Sequence, residues 1–351
     1  MSDIPVLTPV RPAHRFDESA LERYLRAELP GFPARGPLLV RQFEGGQSNP
    51  TFLLEAGEEA YVLRKQPPGE LLPSAHQVDR EYRVMKALET TAVPVPRMHL
   101  LCEDPGVIGT KFYLMENVEG RVYANPLMPE ATRAERAAVY RHLADVLAAL
   151  HAVVPEEVGL GSFGRAGNYY ERQISRWSKQ YVASRTEDIA EMDALMEWLP
   201  RHIPAADETV VVHGDYRLGN AIVHPTEPRI VAVLDWELST RGHPLADLGY
   251  VCQTYYADAD DQHGLNRPNL HELGIPTEEE FVGRYCEMAG RGAIENWHFY
   301  LVYNLFRSAA IIQGVYKRGL DGNASSDTAL GFAGYCRVRA ERAWRLASGD
   351  G

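Results

Sequence analysis

The segment His213-Gly214-Asp215-Tyr216-Arg217-Leu218-Gly219-Asn220 is followed, beyond a β-branched apolar run, by Leu234-Asp235-Trp236-Glu237. An aspartate, an asparagine five residues on, and a second aspartate past a hairpin form the order in which phosphoryl-transfer sites present a base and two metal ligands. In this reading Asp215 accepts or orients the proton of a substrate hydroxyl. Asn220 and Asp235 hold Mg2+, a hard cation that takes oxygen ligands and keeps positions open for phosphate oxygens. His213 would fix the loop by hydrogen bonds. Asp247, in Pro244-Leu245-Ala246-Asp247-Leu248-Gly249, begins a helix after the second aspartate and reads as a brace for the loop rather than a ligand. A lone His-Gly-Asp is ordinarily a capped turn; the joint spacing of Asn220 and Asp235 turns the reading toward ATP-dependent phosphoryl transfer.

That chemistry needs a cradle for the nucleotide, and the preceding part of the chain has the pattern of one. Strand-like segments at Leu38–Phe43, Thr51–Glu55 and Ala60–Arg64 are separated by hairpin-length, glycine-containing connections. Gly45, Gly46, Gln47, Ser48 and Asn49 fill the first connection, where backbone N–H groups could fold over phosphates. Arg64 and Lys65 end the third strand and compete for the position that presents a cation to the α- and β-phosphates. Alternation along a strand puts Val62 and Arg64 on one face and Lys65 on the other. A helical stretch from Ser74 to Glu89 places Val78, Tyr82, Met85 and Leu88 on one stripe before Pro94 and Pro96 stop it. Glu81 on this helix is the expected carboxylate partner of the cation, although it also reads as a solvated glutamate between Arg80 and Arg83. Two further strands are expected at Arg97–Cys102 and Lys111–Glu116. The second ends in Glu116-Asn117-Val118, where backbone groups around Glu116 and Val118 would read the adenine edge.

These segments predict an α+β, bilobal, protein-kinase-like fold: an antiparallel five-stranded sheet with one helix, then a mostly helical lobe. Residues 1–36 read as an N-terminal cap, 37–118 as the nucleotide-binding lobe and 119–351 as the catalytic and acceptor-binding lobe. Helical patterns are expected at 130–151, 168–183, 188–199, 245–256, 277–290, 292–317 and 327–347. A strand at Thr209–Val212 would deliver the His-Gly-Asp loop, and a hairpin across Pro225-Thr226-Glu227-Pro228 would deliver Asp235.

A chain of 351 residues with 45% apolar content can fill two cores. Its net charge of −12 argues against nonspecific nucleic-acid binding, which depends on Lys and Arg neutralising phosphates. Cys102, Cys252, Cys286 and Cys336 are too scattered for a zinc site or a disulfide framework. The start, Met1-Ser2-Asp3-Ile4-Pro5, lacks the charged-then-apolar pattern of a secretory signal, so a cytoplasmic location is expected. The apolar run Phe299–Ile312 is broken by Asn304 and Arg307 and falls short of a membrane span.

The stretches HGDYRLGN, VLDWELSTRGHPLADLGY, GGQSNPTFLL and REYRVMKAL resemble the aminoglycoside phosphotransferase and choline kinase-like superfamily. HPTEPRIVAVLDWELST and NYYERQISRWSKQY are most similar to the kinase-like domains fused to acyl-CoA dehydrogenases. The resemblance covers about residues 35–320 and implies ATP with Mg2+, a small-molecule hydroxyl acceptor, Asp215 as base, and Asn220 with Asp235 as metal ligands. Gly219 stands where relatives often carry Asp, a position that is neither base nor ligand. For this subgroup the implied acceptor is a 4-hydroxyacyl-CoA.

The residues themselves give one clue to the acceptor. Arg172, Arg176 and Lys179 repeat at spacings of four and three on a helical stretch, forming a basic face that suits an anionic acyl-CoA better than a polycation. The same residues also read as a solvated face. Trp177, with Tyr169, Tyr170 and Tyr181, could line an acyl or sugar pocket or pack in a core. The acidic Asp258-Ala259-Asp260-Asp261 stretch and Glu278-Glu279-Glu280 keep an aminoglycoside or other small alcohol open as alternative acceptors. A nucleotide-binding regulatory protein is the contrasting class, permitted by Arg64 in place of the usual lysine.

Overall fold

The computed structural model describes residues 6–44, 49–68, 76–257, 264–322 and 327–349. Gly45, Gly46, Gln47 and Ser48 of the expected phosphate-covering loop lie outside the described residues, as do Asp258–Asp261 and the first two positions of the helix expected from Ser74.

In chain order, a short strand β1 (Leu7–Thr8) precedes helix α1 (Glu18–Glu28), whose start is fixed by the Asp17 carboxylate accepting the Ala20 N–H. Strands β2 (Leu38–Phe43), β3 (Thr51–Ala56) and β4 (Glu59–Lys65) follow, then α2 (Val78–Leu88), β5 (Met98–Cys102), β6 (Phe112–Glu116) and β7 (Arg121–Val122). Three helices come next: α3 (Arg133–His151), α4 (Tyr169–Ser184) and α5 (Ala190–Arg201). Four short strands surround the sequence motifs: β8 (Val210–Val212), β9 (Ala221–Val223), β10 (Ile230–Val233) and β11 (Thr240–Gly242). Helices α6 (Pro244–Cys252), α7 (Leu270–Leu273), α8 (Glu278–Met288), α9 (Trp297–Leu320) and α10 (Tyr335–Ser348) complete the chain. The chain divides into two compact units, Met1–Ala124 with Val158–Leu160 and Leu218–Ser239, and Asn125–Glu157 with Gly161–Arg217 and Thr240–Gly351.

In the first unit the five expected strands form one antiparallel sheet in the order β2-β3-β4-β6-β5, and a sixth, β1, extends it. Leu7 pairs with Phe43 and Thr8 with Gln42, so the N-terminal segment is part of the sheet. Helix α1 also belongs to it: Leu21 and Leu25 join Phe52, Leu54, Leu63, Phe112 and Leu114 in one apolar cluster. Burying each such side chain contributes about 1.5–3 kcal/mol. Helix α2 buries Val78, Glu81, Val84, Met85 and Leu88, whereas the expected stripe had Tyr82 and not Glu81. The helix thus carries a carboxylate where an apolar residue would ordinarily sit. A second sheet, β10-β9-β7, holds the two metal-ligand candidates of the sequence at its ends. Gly120 is required beside it, because a Cβ there would stand 2.3 Å from Ile222 Cγ2.

The second unit is helical around the β8-β11 pair, in which Val212 faces Thr240. A capping box between Thr132 and Glu135 starts α3, and another between Thr277 and Glu280 starts α8. Glu280 is therefore a helix-start acid. Tyr170 of α4 is ringed by Phe299, Tyr300 and Tyr303 of α9, with centroids 4.9–5.6 Å away. Among the described residues no helix is long and apolar enough to cross a membrane.

Candidate active site

Arg64, Glu81 and Asp235 meet in the first unit. Arg64 leaves β4 on the face toward α2, and its Nε lies 2.9 Å from Glu81 Oε2 while its Nη2 lies 2.7 Å from Asp235 Oδ1. Glu237 stands 3.9 Å from the same Nη2. The Tyr113 hydroxyl donates to Glu81 Oε2 at 3.0 Å and the Asn49 amide donates to Oε1 at 2.7 Å. Glu81 is only 1% exposed. Burial pushes its carboxyl up to about 7, against the opposing pull of Arg64. The arginine is held fully charged, because Glu81, Tyr113, Asp235 and Glu237 outweigh its desolvation.

Strand alternation separates the two cations of β4. Lys65 points to the opposite face, where it is buried near the Phe16 ring, 5.9 Å from its centroid, and donates to the Gln66 carbonyl. Burial lowers its pKa. Asn49 is also committed, with its Oδ1 3.1 Å from His76 Nδ1. The Glu116 N–H donates to the Arg97 carbonyl at 2.8 Å, so that donor is spent within the sheet. Val118 follows β6 and is half-buried.

The β9-β10 hairpin carries the two oxygen-ligand candidates at its base. Asn220 ends a 3-10 turn (Leu218–Asn220), is buried, and its carbonyl accepts the Leu234 N–H at 2.8 Å. Asp235, immediately beyond, is left-handed at φ 66° and its side chain is 35% exposed. A non-glycine residue there is uncommon, and aspartate is among the side chains that tolerate it best. The backbone turn aims the carboxylate back at Arg64.

In the second unit, Asp247 at the start of α6 organises the His-Gly-Asp loop. Its Oδ2 accepts the His213 N–H at 2.6 Å, and its Oδ1 accepts the Gly214 N–H at 2.8 Å. His151 of α3 approaches the same carboxylate at 3.5 Å and pairs on its other side with the Tyr285 hydroxyl. These donors and His213 keep Asp247 ionised despite complete burial. His213 Nδ1 accepts the Asp215 N–H at 3.1 Å, and the Asp215 carboxylate lies 3.6 Å from Arg217 Nε. Gly214 takes φ +84°, a conformation that a side chain would strain.

One residue of this environment lies outside the motifs quoted from the sequence. Arg307 of α9 donates to the Gly214 carbonyl at 2.5 Å and stacks 4.8 Å from the Tyr250 ring centroid. Its signal was an arginine inside an apolar helix, far along the chain from the loop.

The basic face of α4 separates into two parts. Arg172 folds back to bind the carbonyls of Gly167 and Arg165 and anchors the turn before the helix. Arg176 and Lys179 are exposed. Trp177, Tyr169, Tyr170 and Tyr181 are buried in the helical core, so of the two readings of these aromatics it is core packing that the structure shows.

The fold is that of the aminoglycoside phosphotransferases. Residues 39–299 match the phosphotransferase enzyme family, and the chain belongs to it. It is 45% identical over 99% of its length to acyl-CoA dehydrogenase family member 10 of Mus musculus, covering 33% of that protein. It is 46% identical over 92% of its length to a protein described as probable acyl-CoA dehydrogenase IBR3 of Arabidopsis thaliana, covering 41% of it. The chain thus spans less than half the length of the curated relatives it matches. A crystal structure from Ralstonia eutropha, provisionally assigned as an aminoglycoside phosphotransferase, is 48% identical with TM-score 0.87 over 95% of this chain and 99% of that one. The fold also extends to the aminoglycoside phosphotransferase APH(4)-Ia, solved with AMP-PNP and hygromycin B, at 18% identity and TM-score 0.61 over 94% of this chain and 99% of that one.

Proposed function

We propose that this chain transfers the γ-phosphoryl group of ATP, with Mg2+, to a hydroxyl of a small molecule, and that the acceptor is a 4-hydroxyacyl-CoA. The observation that carries the first part is the Arg64 bridge. One guanidinium joins the buried Glu81 of the helix to Asp235 of the metal loop, which suits a cation aligned for nucleotide phosphates beside an aspartate aligned for the metal.

The donor set suits Mg2+ chemically. Asn220 offers a carboxamide oxygen and Asp235 a carboxylate whose Oδ1 is engaged by Arg64, and magnesium is typically held by one or two such groups plus phosphate oxygens. Bound there, the ion would neutralise phosphate charge. Asp215, five residues before Asn220 on the same loop, takes the proton of the acceptor hydroxyl. The freed oxygen forms a bond to the γ-phosphorus as the bond to the β-phosphate oxygen breaks, and ADP leaves. Asp247 holds the loop's N–H groups so that Asp215 is already placed when substrate arrives.

The acceptor reading is supported by the relatives' names, which place homologous sequence in acyl-CoA dehydrogenase proteins, and by the exposed Arg176 and Lys179, which suit an anionic ligand. Calorimetric titration tests the nucleotide reading: Mg2+ should strengthen ATP binding to the parent protein and do so no longer in D235N. Equal Mg2+ dependence in both would remove Asp235 as a ligand.

A further inference from the structure

Arg307 sits in the middle of α9 with 6% exposure, an expensive place for a charge. It is held by a carbonyl and two aromatic rings: Nη2 donates to Gly214 O at 2.5 Å, and the guanidinium lies 4.8 Å from the Tyr250 centroid and 5.5 Å from that of Trp177. Gly214 O belongs to the peptide that enters Asp215. The N–H of that same peptide donates to His213 Nδ1 at 3.1 Å, and the preceding N–H groups are taken by Asp247. The Gly214–Asp215 peptide is therefore gripped at both ends. Arg307 supplies the grip on the oxygen side, where Gly214 at φ +84° has no side chain to limit rotation.

We propose that Arg307 is a positioning residue for phosphoryl transfer: stacked between Tyr250 and Trp177, it fixes the plane of the Gly214–Asp215 peptide and so the direction in which the Asp215 carboxylate points. Burial alone would lower the Arg307 pKa, and the Tyr303, Tyr250 and Tyr169 hydroxyls, with a smaller share from the Asp215 carboxylate, raise it. Trp177, which the sequence left open between an acyl or sugar pocket and core packing, has its ring against this guanidinium. That Asp215 is the reacting base rests on the proposed function; that Arg307 is coupled to it does not.

The test has two arms. In the first, R307M and R307K are compared with the parent in ADP release from Mg-ATP and a 4-hydroxyacyl-CoA. Misplacing a reacting group by an ångström costs about 10²-fold, so R307M should lose about that much kcat with little change in KM for ATP. Lysine should restore part of the loss, because it keeps charge without the planar fork. The second arm needs no turnover: Tm is measured for D215N, R307M and the double variant. The two shifts should be non-additive, with D215N costing more stability when Arg307 is present than in the R307M background. Additive shifts, or an R307M enzyme with parental kcat, would overturn the proposal. If D215N itself kept parental turnover while the Tm cycle stayed non-additive, the assignment of the base would fail and the coupling would stand.

Discussion

Arg64 Nη2 and Asp235 Oδ1 lie 2.7 Å apart although 171 residues of sequence separate them. The contact ties the third long strand of the sheet to the loop that follows the β9-β10 hairpin, and its other arm is anchored by buried Glu81. Removing one member of such a network strands the others. R64M leaves Glu81 without its cation and should cost about 3 kcal/mol of stability, measured by the urea unfolding midpoint. An unchanged midpoint would show that Tyr113 and Asn49 alone satisfy Glu81.

Asp215→Asn should abolish phosphoryl transfer while leaving Mg-ATP affinity within a few-fold of the parent value, since the proposed role of the residue is on the acceptor and not on the nucleotide. Rapid-quench measurement of phosphorylated acceptor separates the two effects. Near-parental turnover would remove Asp215 as base.

Asp247→Ala leaves the N–H groups of His213 and Gly214 buried without their acceptor. Each unsatisfied group costs about 1–3 kcal/mol, so a drop of several degrees in Tm should accompany a fall in kcat. A loss of activity with unchanged Tm would point instead to direct contact with substrate.

His243 supplies the pH dependence. Burial pushes its pKa down from 6.5 to about 4, so the folded protein binds this proton less readily than the unfolded chain. The associated stability is complete above pH 6.5 and is lost as pH falls toward 4. His243 also caps α6 by accepting the Leu245 N–H, a function that asparagine preserves. The parent should therefore lose Tm relative to H243N between pH 6.5 and 4; parallel profiles would contradict this.

Charge reversal in R176E/K179E should raise KM for a CoA thioester several-fold and leave KM for ATP unchanged. Arg172 is a poor probe of the same question, because its guanidinium anchors the Arg165 and Gly167 carbonyls and its loss would disturb the helix start.

Much of this was legible in the sequence, for local reasons. The strands of the first unit alternate cleanly enough that the orientation of Arg64, and the opposite one of Lys65, follow from period two alone. β1 was hidden because a two-residue edge strand between prolines carries no periodicity. Glu81 was ambiguous because a helix glutamate flanked by arginines reads as solvated; only its partners Asn49 and Tyr113, 32 residues away on either side, show why it is buried. Asp247 was readable from its place at a helix start shortly after Asp235. Arg307 was not, since a side chain that touches a loop about 93 residues earlier leaves no local mark beyond a charge in an apolar helix.

The most direct test of the central claim is ADP release from Mg-ATP across a panel of 4-hydroxyacyl-CoAs, aminoglycosides, choline and homoserine, with D215N as control. Turnover confined to the hydroxyacyl-CoAs and absent in D215N is the predicted result. Turnover of an aminoglycoside or of choline in preference to the thioesters would contradict the acceptor assignment, and parental rates in D215N would contradict the mechanism.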